Sequence, residues 1–139
     1  MKYWDSSALL PLLLDEKQTP AVKRLYEDDP AQTVWCLTDV EIGAAVSRRV
    51  REGLTDDRAD RVQGDWGILA RRWRPITSLD SVGSRALRLV RTHPLPAADA
   101  LQLAAALVAC GERPEALPFV CLDDRLRDAA RREGFPVLP

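Results

Sequence analysis

The sequence predicts an α/β fold: a mainly parallel sheet covered by helices on both faces. Three observations point there. Short apolar runs alternate with longer helical segments along the whole chain, the pattern of repeated strand–helix units. The segment 97–109 is apolar on nearly every side and is therefore expected to be buried. The opening run Tyr3-Trp4 meets Asp5, Ser6 and Ser7 before an apolar helical stretch. A central parallel strand ends in this way, and the ligand crevices of open α/β sheets lie outside such carboxyl ends.

Taken in order, Tyr3-Trp4 reads as a strand ending at Asp5, followed by a short helix over 6–14 interrupted by Pro11. A second helix over 20–28 has Pro20 in its first turn and Val22, Leu25 and Tyr26 on one face. Residues 33–37 form an apolar strand, and Thr38 opens a helix over 38–51 that Gly53 ends. The helix over 55–72 places Val62, Trp66, Leu69 and Ala70 at core spacing. Residues 74–77 make a brief strand, and the helix over 79–91 is expected to turn Val82, Leu87 and Val90 inward. Pro94-Leu95-Pro96 is a stiff entry to the buried helix over 97–109. After a loop over 111–118 come a strand over 119–122, a helix over 123–133 and a last edge strand over 136–138. No repeat, low-complexity tract or linker interrupts this order, so residues 1–139 are expected to form one domain.

Composition is that of an ordinary soluble chain, with 46% apolar and 29% charged residues. No apolar run approaches the roughly 20 residues of a membrane span, and no basic segment precedes an apolar one at the start, as a signal peptide requires. Cytoplasm is the expected location. Cys36, Cys110 and Cys121 lack metal-binding spacing and read as small buried hydrophobes. The net charge of −1 covers a skew in which 17 of the 20 basic residues are arginine. Such a balance neither advertises nor excludes a nucleic-acid partner, because local patches decide that.

Four acids stand at corresponding points of this pattern. Asp5 ends the first strand, Glu41 and Asp99 lie in the first turns of their helices, and Asp123 ends the strand over 119–122. Strand ends and helix starts share one edge of a parallel sheet, so the four can meet in one crevice. Two unit charges 4 Å apart repel by about 4 kcal/mol at an effective dielectric near 20. A four-carboxylate cluster must therefore raise its pKa values or hold a cation. All-oxygen ligands suit Mg²⁺ or Mn²⁺, and such metals serve phosphodiester hydrolysis. Each acid also has a purely structural account. Asp5 can cap the following helix, Thr38-Asp39-Val40-Glu41 has the form of a capping box, and Asp99 and Asp123 suit the positive ends of helix dipoles. Three of the four lie beside strongly apolar segments, where a stray acid is expensive, and that favours a site.

Four motifs carry a resemblance across essentially the whole chain. They are Tyr3-Trp4-Asp5-Ser6-Ser7-Ala8-Leu9, the run from Leu37 through Glu41 to Ala45, Leu95-Pro96-Ala97-Ala98-Asp99-Ala100-Leu101-Gln102-Leu103-Ala104, and Phe119-Val120-Cys121-Leu122-Asp123-Asp124-Arg125-Leu126. In this order the sequence resembles a PIN-domain ribonuclease, more closely a VapC-type toxin of a bacterial toxin–antitoxin pair. The resemblance implies a PIN-like α/β/α sandwich and a Mg²⁺-dependent endoribonuclease in which Mn²⁺ can substitute. It also implies an RNA substrate, a homodimer and a cognate antitoxin that blocks the site. By the same resemblance Asp5, Glu41, Asp99 and Asp123 form the catalytic metal site and Ser7 is a supporting hydroxyl. One departure stands out: Cys121 replaces the family's usual hydroxyl two residues before the last acid, and Asp124 offers an alternative register for that acid.

His93, the only histidine, falls in a predicted loop, where exposure is the ordinary outcome, and it is left out of the site. The arginine clusters at 48–51, 71–74 and 125–132 can track an RNA backbone, but acids interleave with them and most read as solvated faces. Trp66 has core spacing, and Trp73 suits an interface. Two other function classes compete. A phospho-receiver domain also gathers acids around Mg²⁺ but needs a lysine after a late strand, and Lys2, Lys17 and Lys23 all fall early. A non-catalytic interaction module would have no need of all four acids.

Overall fold

The structure is a computed structural model that describes residues 1–139. Its strands are β1 (Lys2–Trp4), β2 (Gln32–Trp35), β3 (Trp73–Ile76), β4 (Phe119–Val120) and β5 (Val137–Leu138). Its helices are α1 (Ser6–Leu13), α2 (Thr19–Glu27), α3 (Thr38–Arg51), α4 (Asp56–Ala70), α5 (Leu79–Thr92), α6 (Ala97–Ala109) and α7 (Asp124–Arg132). The sheet runs β3-β2-β1-β4-β5 with every pairing parallel. The shortest description of the topology is that the first strand is the middle one. Pro75 is tolerated in β3 because that strand is an edge.

Side chains alternate across a strand, and in β1 that alternation divides the molecule into two cores. Tyr3 joins the core under α5, α6 and α7, with Leu89, Leu103, Phe119 and Leu126. Trp4 joins the core under α1 to α4, with Leu9, Val22, Ile42 and Val62. Both aromatic residues are fully buried. Tyr3 stacks on Phe119 with centroids 5.2 Å apart, and Trp4 meets Tyr26 edge-on at 5.3 Å. A one-residue slip of β1 would exchange both sets.

The structure corrects the expected inward face of α5, the expected exposure of His93 and the expected length of β4. On α5 the buried residues are Val82, Ala86 and Leu89, while Leu87 and Val90 are 62% and 42% exposed. Spacings of four and three residues keep side chains on one helical face, whereas the five-residue step from Val82 to Leu87 turns well away from it. Trp66 is half-buried at the edge of its core, and its indole N–H donates to exposed Asp39 at 2.8 Å. His93 is only 6% exposed, with Nε2 2.7 Å from Glu133 Oε1. Glu133 also takes two bonds from Arg88, which hold its carboxyl below the usual range. Strand β4 is shorter than the sequence suggests because the chain after Val120 turns its hydrogen bonding elsewhere. Cys121 N still donates to Leu138 O, but Leu122 N donates to the Ser7 hydroxyl. No helix is long and apolar enough to cross a membrane.

Asp29 anchors β1 from the side. Fully buried, its Oδ2 accepts from Lys2 N and from the Trp4 indole, both at 2.9 Å, and the Met1 nitrogen stands 3.1 Å from its Oδ1. Removing that acceptor strands buried donors. We expect Asp29→Ala to lower stability by about 2–4 kcal/mol in urea unfolding. Asp29→Asn, which keeps an acceptor oxygen, should cost less than half as much.

Candidate active site

The strand order sets β2, β1 and β4 side by side, so the segments leaving their carboxyl ends converge. Asp5 follows β1 and is the N-cap of α1; Asp123 follows β4 and is the N-cap of α7. Glu41 lies in the first turn of α3, after β2, and Asp99 in the first turn of α6. All four acids, with Ser6 and Ser7, line one cleft of about 610 Å³. Asp124 is exposed and does not line it, so of the neighbouring pair Asp123 is the acid in the cleft.

Asp5 is the most enclosed of the four, at 3% exposure. Its Oδ2 accepts from Ser7 N at 2.9 Å, from the Ser7 hydroxyl and from the Cys121 thiol at 3.6 Å. Ser7 Oγ in turn accepts from Leu122 N at 2.9 Å, which ties α1 to the segment after β4. Burial raises the Asp5 carboxyl from 3.8 to about 6, Ser7 partly offsets that rise, and Glu41 and Asp99 add to it. Burial, then the charge of Asp5, pushes the Cys121 thiol well above its ordinary range, so Cys121 stays protonated. Asp99 is half-buried, and its carboxyl is raised by burial first and by Asp123 next, with Arg125 opposing.

The capping box expected at Thr38–Glu41 is not formed. Leu37 is the N-cap, without a side-chain cap bond. Glu41 Oε2 instead accepts from the Ser6 hydroxyl at 2.6 Å and from Gln102 Nε2 at 2.9 Å. Gln102 is buried in α6 and also donates to the Thr38 hydroxyl at 3.3 Å, while its Oε1 accepts from the Tyr3 hydroxyl at 2.7 Å. Burial raises the Tyr3 phenol further above its usual value, so it remains a donor. That one bond fixes which end of the Gln102 amide faces Glu41. Ser6, Tyr3 and Gln102 were not singled out from the sequence. The available signal was an amide on an otherwise apolar helix, three residues after Asp99 and so on the same face.

The four acids differ from the fastened acids of the fold in what remains free. Hydrogen bonds fall on one oxygen each of Asp5 (Oδ2), Glu41 (Oε2) and Asp123 (Oδ1, from Leu126 N), and Asp99 receives none from a side chain or cap. No Lys, Arg or His forms an ion pair with any of them. Spare anionic oxygens on four acids in one cleft form a donor set that fits Mg²⁺ or Mn²⁺. As arranged, no three Asp, Glu, His or Cys side chains close into a ready metal cage.

An all-parallel five-stranded sandwich with these acids along its carboxyl edge is a PIN-like fold. No protein-family model matches the sequence. The chain is 31% identical over 138 residues to Ribonuclease VapC45 of Mycobacterium tuberculosis (strain CDC 1551 / Oshkosh), an alignment spanning 99% of this chain and 94% of that protein. It matches Ribonuclease VapC49 of Mycobacterium tuberculosis (strain ATCC 25618 / H37Rv) with the same identity and coverage. Among solved structures it is similar to PAE2754 from Pyrobaculum aerophilum, with a TM-score of 0.62 and 22% identity, covering 93% of this chain and 86% of that one. The chain belongs to the VapC family of PIN-domain ribonucleases.

The buried polar network can be tested at two points. The folded Asp5 carboxyl holds its proton more tightly than the unfolded one, about 6 against 3.8. Its contribution to stability is therefore full below pH 4 and is lost as pH rises through 6, by about 3 kcal/mol in metal-free solution. Asp5→Asn should remove that slope and be at least as stable as wild type at pH 7 in EDTA. Urea unfolding of both proteins at pH 4 and pH 7 measures this, and an equal pH dependence in the two would refute it. In a double-mutant cycle, Tyr3→Phe and Gln102→Leu should couple by about 1 kcal/mol; additive losses would mean that the Tyr3 hydroxyl does not orient the amide.

Proposed function

We propose that the chain is a metal-dependent endoribonuclease, the toxin of a toxin–antitoxin pair, which hydrolyses RNA phosphodiester bonds with activated water. The observation that carries this reading is the set of spare carboxylate oxygens facing one cleft. Asp5 and Asp99 would hold Mg²⁺, or Mn²⁺ in its place, most directly, with Glu41 and Asp123 completing the ligand set. When bound, such a cation supplies a lowered pKa for water and neutralising charge for the phosphoryl group.

The chain's own residues supply position. Ser7 holds the inner oxygen of Asp5, which leaves Oδ1 for the cleft. Ser6 and Gln102 do the same for Glu41. The Leu126 amide orients Asp123 from the start of α7. Loss of the Asp5 and Asp99 protons, which burial holds back, readies both groups for a cation. Cys121 supports Asp5 through a long thiol contact, a weaker bond than a hydroxyl would give. RNA as substrate, an antitoxin that covers the cleft, a homodimer and a cytoplasmic location belong to the same proposal. The phospho-receiver alternative loses ground because no lysine lines the cleft.

The test is incubation of antitoxin-free protein with total RNA in Mg²⁺ or Mn²⁺. Discrete fragments should appear, vanish in EDTA and fall by about 100-fold or more with Asp99→Asn, which leaves the fold intact. Full activity in folded Asp99→Asn would sink the assignment of the acids.

A further inference from the structure

The cleft has a cationic flank that the acids do not use. Arg48 and Arg51 stand three residues apart on α3, hence on one face, and both line the cleft beside Asp5, Glu41, Asp99 and Asp123. Neither forms an ion pair. Arg49, between them in sequence, turns away and pairs with Glu16 at 2.7 Å. Some other arginines of the fold are committed in the same way, and among the uncommitted ones Arg48 and Arg51 are those that line the cleft. Arg72 binds the carbonyls of Tyr26 and Asp29 and lies over the Tyr26 ring, while Arg85, Arg88 and Arg131 pair with Glu112, Glu133 and Asp128.

Two guanidinium groups share a cleft with four carboxylates yet close no ion pair with them. A ligand that bridges the two ends must offer an anion to the arginines and carry a second one that the acids can engage through a cation. A phosphodiester chain does this, and a planar guanidinium matches phosphate oxygens bidentately. We propose that Arg48 and Arg51 form a phosphate subsite that grips the backbone of single-stranded RNA next to the phosphate that is cut. The inference rests on the ribonuclease reading of the acids and adds where the strand lies: it leaves the acids along α3. Such contacts set register and affinity without reading sequence.

Arg49 provides an internal control, since Arg49→Ala removes the same charge from the same helix. The probe is a fluorescein-labelled oligouridylate, with binding followed by anisotropy in EDTA across a salt series. Cleavage of the same oligonucleotide is then followed in Mg²⁺. All three arginines are exposed, so the variants should fold, as circular dichroism will verify. The doubly substituted Arg48→Ala, Arg51→Ala protein should bind about tenfold more weakly. Its log–log salt slope should fall by about 1.4, or about 0.7 for each single-strand phosphate that is no longer neutralised. In cleavage, KM should rise about tenfold with kcat within about twofold, because the grip is made equally in ground and transition states. Arg49→Ala should change each quantity less than about twofold.

Equal effects in the double variant and in Arg49→Ala would overturn the subsite, and wild-type cleavage would still stand. A retained binding difference with no cleavage of the oligonucleotide or of total RNA by the wild-type protein would sink the ribonuclease reading and leave only an RNA-backbone contact, with no cut phosphate beside it. Unchanged RNA binding together with reduced affinity for oligoglutamate would overturn the proposal in favour of an acidic protein segment.

Discussion

The arrangement depends on a carboxylate held where solvent hardly reaches, at the end of the central strand. Asp5 sits between two helical layers, and its ionised form is stabilised on one oxygen only, by Ser7 and the Cys121 thiol. That placement is costly, as the raised carboxyl pKa shows. The surrounding structure meets the cost with contacts of long sequence separation. Ser7 binds the segment after β4, Ser6 binds α3, and β1 pairs on both sides. The sheet order is what lets two neighbouring strands deliver their acids to the same place.

Acids in this fold divide into two kinds. Asp29 and Glu133 are fastened on both oxygens by donors or cations and serve to join elements. Asp5, Glu41 and Asp123 are fastened on one oxygen and present the other, and Asp99 presents both. A satisfied acid stabilises, whereas a half-satisfied one stores electrostatic free energy that a cation can release. The distinction is a matter of hydrogen-bond geometry, and burial alone does not draw it, since Asp29 is more buried than Asp5.

Much of this was legible in the sequence. Strand–helix alternation pointed to the α/β class and the parallel sheet, because no other layer pattern follows from it. The four acids were legible because each sits at an element boundary, which sequence marks well, whereas Ser7 was legible only through the family resemblance. What escaped was set by tertiary partners. Glu41 has the form of a capping residue, yet Gln102 and Ser6, distant in sequence, outcompete the cap. His93 looks like an exposed loop residue until Glu133, forty positions on, covers it. On α5 the bulk of Leu87 and Val90 points to the wrong face, because helical spacing from Val82 buries small Ala86 instead.

The topology has a consequence for the order of events during synthesis. Of the five strands β1 is made first and its partner β4 fourth, so the central pairing joins segments far apart in sequence. Contacts of such high sequence separation form late, because loop closure must precede the pairing that rewards it. A chain still emerging from the ribosome carries Asp5, Glu41 and Asp99 before it carries Asp123. A product that stops before Asp123 lacks one acid of the cleft, and the four acids share one edge only when the sheet closes around β1.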